Sequence, residues 1–164
     1  MRLREYAADD KVACLNMFDG NVGHFFAPHE REQYEQFLEH PDCIYFVLEN
    51  SEGELVGAGG YYVYTFDQNI VGLCWGLVRR DLHGYGYGRY LLRERLRRIC
   101  TNGFRGEVRL DTSQHTKGFF EREGFVVYEL ETDGYAPGLD RYHMRRTLDD
   151  LVCREYSEVA PNRA

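Results

Sequence analysis

Apolar positions in the first part of the chain recur with a helical period. Val12, Leu15 and Phe18 lie three residues apart behind Asp9 and Asp10, acids that suit the positive end of a helix dipole. Asp19-Gly20-Asn21 stops that helix. A second begins near Pro28, whose fixed φ fits a first helical turn, and carries Tyr34, Phe37 and Leu38 on one side until His40-Pro41-Asp42 breaks it. The pattern then becomes that of strands. Ile44–Leu48 is apolar on both faces, as in a sheet covered on both sides, and the turns Asn50–Gly53 and Asp67–Asn69 lead into Leu55–Phe66 and Ile70–Val78. Three antiparallel strands are predicted, with Arg2–Tyr6 as an earlier, loosely alternating one.

Leu73 to Ile99 organises the rest. An apolar strand ends at Val78, the glycines Gly84, Gly86 and Gly88 alternate with Tyr85 and Tyr87, and Leu92, Leu96 and Ile99 then fall at helical spacing among arginines. Val108 and Leu110 predict a strand parallel to Ile70–Val78, because a helix has intervened. Asp111-Thr112-Ser113-Gln114 offers N-caps for a short helix through Arg122, followed by strands at Phe125–Tyr128 and Tyr142–Leu148 around the loop Asp133–Gly138. One domain over residues 1–148 and a loose polar tail over 149–164 are predicted, with Leu151, Val152 and Tyr156 as docking points on the tail.

A strand, a glycine turn and a helix N-terminus together make an anion site: unpaired N–H groups and the helix dipole favour a phosphate. Three readings compete for His83-Gly84-Tyr85-Gly86-Tyr87-Gly88-Arg89. It could be a packing turn, though one glycine would serve for that. A dinucleotide fold needs G-x-G-x-x-G straight after the first strand of a parallel sheet, which the preceding antiparallel strands oppose. The third reading is a pyrophosphate loop for coenzyme A.

Composition narrows the function classes. A net charge of −7 disfavours a general nucleic-acid-binding role, and the arginines of residues 89–98 make a local, solvated basic face. No run approaches a membrane span or a signal sequence, so the expectation is a cytoplasmic protein without membrane contact. The five cysteines are scattered and odd in number, and contain no C-x-x-C, which predicts reduced thiols with neither a disulfide framework nor a metal site.

The order of elements resembles the GNAT superfamily of N-acetyltransferases over about residues 1–148. Gly86-Tyr87-Gly88 matches its pyrophosphate loop, although His83 stands where Gln or Arg is usual; Gly118–Phe125 is similar to its short-helix signature, and Tyr142–Arg146 to its last strand. The resemblance implies an α+β fold: a largely antiparallel mixed sheet, a central parallel strand pair splayed around acetyl-CoA, and helices on both faces. It implies a backbone amide at Leu77 or Val78 for the thioester carbonyl, and His83, Gly84, Tyr85, Gly86, Tyr87, Gly88 and Arg89 for the pyrophosphate. Gly76 would suit the bulge that opens the gap. Phe120 stands where a proton-donating tyrosine is common, and Ser113, a coenzyme-side residue, where an asparagine is common. His115, Tyr128 or a water could take over proton donation.

The implied activity is acetyl transfer from acetyl-CoA to a primary amine of a small molecule, peptide or protein, in a monomer or homodimer. The alternative is a non-catalytic acyl-CoA-binding module, motivated by Phe120. An amine is protonated at neutral pH and needs a base, for which Glu49 at a strand end is the nearest carboxylate candidate. His24 and Phe25 in the first helix–helix loop, with Tyr62, are the candidates for acceptor contact.

Overall fold

The computed structural model describes residues 1–158. Its strands are β1 (Arg2–Glu5), β2 (Ile44–Glu49), β3 (Leu55–Val63), β4 (Ile70–Val78), β5 (Gly106–Thr112), β6 (Val126–Ala136) and β7 (Leu139–Leu148). They form a seven-stranded sheet in the order β1-β2-β3-β4-β5-β7-β6, antiparallel throughout except for the β4–β5 pair. That pair is parallel because α3 (Tyr87–Thr101) returns the chain to the same end of the sheet.

Each face of the sheet has its own core. On one side α1 (Lys11–Asp19) and α2 (Glu30–Glu39) bring Cys14, Phe18, Tyr34 and Leu38 onto Tyr45, Val47, Ala58 and Leu77. On the other, α3 packs Leu92, Leu96 and Ile99 against Leu48, Val71, Val108 and Met144. These three α3 side chains are essentially inaccessible, and burial of each stabilises the docked helix by about 1.5–3 kcal/mol. The short α4 (Lys117–Arg122) starts later than the sequence suggests, since Asp111 and Thr112 belong to β5.

Two expectations are corrected. Thiol chemistry is the first: Cys100 at the end of α3 is disulfide-bonded to Cys153, with their Cα atoms 5.5 Å apart. Scattered positions hid a pairing that only the fold brings about. The second concerns the segment after Asp149, which forms α5 (Asp150–Glu158) rather than a loose tail. α5 buries Cys153 and Tyr156 against the α3 side and leaves Leu151 exposed; residues 159–164 lie outside the described residues. No helix among the described residues is long and apolar enough to cross a membrane.

Candidate active site

The parallel pairing of β4 and β5 lasts three steps, Ile70↔Glu107, Val71↔Val108 and Gly72↔Arg109. Beyond it the strands part: β4 runs on to Val78 beside β3, and β5 to Thr112 beside β7. A bulge on β4 bends that strand, because Ala58 faces Leu77 while Gly60 faces Cys74, leaving one extra residue in between. The sequence points to Gly76 for this bulge, but the left-handed residue is its neighbour Trp75, at φ 42°. Packing holds it there. The indole lies 5.0 Å from the Tyr34 ring and 6.3 Å from Phe18, and the Trp75 carbonyl accepts a 2.9 Å hydrogen bond from Tyr45 Oη.

From Val78 a single helical turn, Arg80–Leu82, leads to the glycine loop. Gly84 and Gly86 sit at φ 86° and 89°, where an L side chain is strained, and open space surrounds the position of a Cβ at either. Gly86 precedes α3, whose N-terminus has no side-chain cap and no acid in its first turn, so its N–H groups remain available to an anion. Gly88 differs: a Cβ there would lie 3.8 Å from Val78 Cγ2 and 4.0 Å from Phe119 Cζ, at the edge of the parted strands.

The strand end is fixed from two sides. His83 Nε2 donates to the Val78 carbonyl at 2.9 Å, and the buried Asn21 amide donates to the same oxygen at 2.9 Å and to Met17 O at 2.8 Å. His83 therefore helps to fix the strand end.

Three loops meet above this point. His24 stacks on His115 with ring centroids 4.0 Å apart, Phe25 meets His83 at 5.0 Å and His115 at 6.3 Å, and Arg80 lies over the Phe25 ring at 4.7 Å. Loss of solvent, then the charges of His115, Arg80 and His83, hold the His24 imidazole below the ordinary histidine range. The structure thus brings together His24, Phe25, His83 and His115.

Other predicted residues lie elsewhere. Glu49 accepts a 2.7 Å bond from Arg4, which also pairs with Asp10, so its carboxylate is engaged at the β1 side of the sheet. Tyr62 is exposed, with its ring 5.1 Å from Tyr64. Arg89 and Arg93 each donate to the buried Glu123 at 2.9 Å, tying α3 to the end of α4. Tyr85 is exposed and Tyr87 packs at the margin of the core. Phe120 rests against Phe119 and Phe125, at 4.9 and 5.8 Å, and the buried Ser113 hydroxyl has no partner among the described residues.

Sequence reasoning missed Asn21 and Glu30. The first has no motif and is legible only once Val78 is placed. Glu30 reads as a helix-start acid; the structure buries it, with Oε2 accepting from Ala27 N at 2.7 Å, and burial raises its carboxyl despite that bond and the charges of His29 and Arg141.

Known proteins share this fold. The sequence model described as Acetyltransferase (GNAT) family matches residues 13–125. The chain belongs to the GNAT family. Membership implies acyltransferase activity, and the expected mixed fold, with its parallel pair inside a mostly antiparallel sheet, is the one observed. No curated protein matches the chain in sequence. Among solved structures, a GNAT-family protein from Desulfovibrio desulfuricans superposes with a TM-score of 0.75 at 20% identity, covering 89% of this chain and 98% of that one. A GNAT superfamily phosphinothricin acetyltransferase from Sinorhizobium meliloti, in complex with AcCoA, gives 0.72 at 20% identity, covering 91% and 89%. An aminoglycoside 6'-N-acetyltransferase complexed with coenzyme A gives 0.66 at 14% identity, covering 90% and 97%. At these identities the likeness is one of fold.

Proposed function

We propose that this GNAT protein transfers the acetyl group of acetyl-CoA to a primary amine by direct attack in a ternary complex. The observation that carries the reading is the parting of β4 and β5 beside an uncapped α3 N-terminus. The residues fit the coenzyme: Gly84 and Gly86 leave open space where side chains would stand, and Gly88 adds none between Val78 and Phe119. Related folds in complex with coenzyme A or AcCoA support the choice of donor.

Acetyl-CoA when bound supplies an activated acyl carbon as a thioester. The chain's part is to hold and polarise it. The amides of the loop from His83 to Arg89 bind pyrophosphate, aided by the α3 dipole. A backbone N–H at Leu77 or Val78 is aimed at the thioester oxygen, where negative charge develops during attack, so it stabilises the transition state above the ground state. His83 and Asn21 keep that strand end fixed through the Val78 carbonyl.

Proton handling falls to the ring cluster. His24, kept neutral near pH 7, takes a proton from the incoming ammonium, and His115 stacked upon it protonates the leaving thiolate. Phe120 has no hydroxyl to donate, and a thiol with a pKa near ~8.5 leaves tolerably without an acid. Free coenzyme A release against an amine panel tests the reading. Turnover that needs both acetyl-CoA and an amine is expected; normal acetyl-CoA binding without release for any amine would favour the non-catalytic module.

A further inference from the structure

Two thiols face each other across β3, on the side of β4 away from β5. Cys43 immediately precedes β2 and Cys74 lies on β4, and their sulfurs are 3.2 Å apart, roughly 1 Å longer than a disulfide bond of ~2.05 Å. Gly60 on the intervening strand lets β2 pack close at this point. A Cβ there would come within 2.5 Å of Ile44 O and 2.7 Å of the Tyr45 ring. Both cysteines are half-buried, and Cys43 lines an open surface hollow of about 260 Å³ together with Tyr6, Pro41 and Tyr45.

Behind the same stretch lies Arg95 of α3, only 4% exposed. Its guanidinium donates to Gly60 O at 3.3 Å and Leu91 O at 3.4 Å, and no carboxylate among the described residues pairs with it. Gly59 leaves it close to the sheet: a Cβ there would stand 2.9 Å from Nη1. A buried cation without a counter-ion favours an anion nearby, and thiolate is the form in which cysteine reacts. The contact with Cys43, and then the Arg95 charge, pull the Cys74 thiol down against burial, while the same contact and burial drive Cys43 up. Cys14 is no competitor. It is fully buried on the inner face of α1, with its thiol pushed up to about 11 by burial.

We propose that Cys43 and Cys74 are a site of reversible oxidative modification, closing to a disulfide with hydrogen peroxide as the oxidant. The Cys74 thiolate attacks a peroxide oxygen; the S–O bond forms as the O–O bond breaks, and the departing oxygen takes a proton and leaves as water. Cys43 then gives up its proton and attacks the Cys74 sulfur. The S–S bond forms, the S–O bond breaks, and a second water leaves. Two thiols and one hydrogen peroxide become one disulfide and two waters, the sulfurs losing the two electrons that the peroxide gains. The new bond would tether the segment ahead of β2 to β4, one residue from the Trp75 bulge.

The test is peroxide titration of the whole protein, followed by alkylation in denaturant without reductant and intact-mass thiol counting. Cleavage after Glu39, Glu49 and Glu54 puts the two cysteines on separate peptides. Expected is a fall in alkylatable thiols from three to one, a linked pair of peptides carrying Cys43 and Cys74, and full reversal by dithiothreitol. A pair already closed on isolation supports the same assignment. Cys14→Ser should leave the linkage unchanged, and Cys43→Ser should abolish it while Cys74 gains oxygen. Persistence of all three thiols would overturn the proposal, as would a Cys74 that stops at the sulfinic acid in the parent or a link that runs to Cys14 or between molecules.

Discussion

Replacing Gly88 by alanine separates coenzyme binding from folding, because the two effects have opposite signs. Gly88 lies in the first turn of α3 with ordinary helical geometry, so alanine removes backbone freedom from the unfolded chain and stabilises the helix by about 0.5 kcal/mol. For a chain of this length that raises Tm by roughly 1–2 °C. The added methyl meets Val78 Cγ2 at 3.8 Å and Phe119 at 4.0 Å, ordinary contacts that cause no clash in the free protein. It nevertheless occupies the edge of the coenzyme site proposed above. Acetyl-CoA affinity by calorimetric titration is expected to fall at least tenfold, or about 1.4 kcal/mol. Gly86→Ala is the control with the other sign for stability: at φ 89° it costs roughly 1–2 kcal/mol of strain, lowering Tm by several degrees. A more stable Gly88→Ala protein that binds acetyl-CoA as tightly as the parent would refute the placement of the coenzyme.

Phe120→Tyr adds a hydroxyl beside the short helix; with His115 already donating to the leaving thiolate, turnover and its pH profile are expected to stay unchanged, and a rise of up to ~10²-fold with a new falling limb at high pH would refute the His115 assignment. Arg80→Met and His115→Gln should each move the His24 titration seen by NMR upward, since both neighbours now depress it; an unmoved midpoint would break the electrostatic account. That depression also signs the pH dependence: an unfolded His24 binds protons more readily, so its contribution to stability falls as pH drops through the unfolded histidine range. The Arg4 guanidinium holds the Asp10 carboxyl below its ordinary range, so this stabilisation is present above about pH 4 and is lost as pH falls through the folded value; Arg4→Gln should flatten that acid limb in denaturation curves. Cys153→Ala opens a bridge spanning a sequence separation of 53, worth about 4 kcal/mol of loop entropy, and a drop in Tm of about 10 °C is expected; a drop under 2 °C would mean that α5 is held by Tyr156 and its neighbours alone.

Where apolar period and turn residues agree, the sequence was a reliable guide. β4 runs over Ile70–Val78 as its composition suggests, and the glycine loop leads into α3 where Leu92, Leu96 and Ile99 begin their spacing. Non-local chemistry was not legible. The Cys100–Cys153 bridge depends on α5 folding back onto α3; Leu151, Val152 and Tyr156 hint that the segment docks, but not which helix it meets or that Cys153 reaches Cys100. His24 and His115 look like isolated loop histidines until the parting of β4 and β5 brings their loops together. Glu49 was a candidate because of its position at a strand end; Arg4, from a strand paired only in space, claims its charge.

The three-pair seam between β4 and β5 has a mechanical consequence. Within the sheet it is the only hydrogen-bonded join between a four-strand half and a three-strand half, and short ladders are where native proteins open first. A molecule lodged between the banks would act as a strut, and its binding energy would appear as resistance to opening. At a hundredfold excess over its dissociation constant that gain is about 2.7 kcal/mol. Amide hydrogens of Leu73–Val78 and Leu110–Thr112 should then exchange more slowly as acetyl-CoA rises, so that the supply of donor sets how long the protein survives heat or proteolysis.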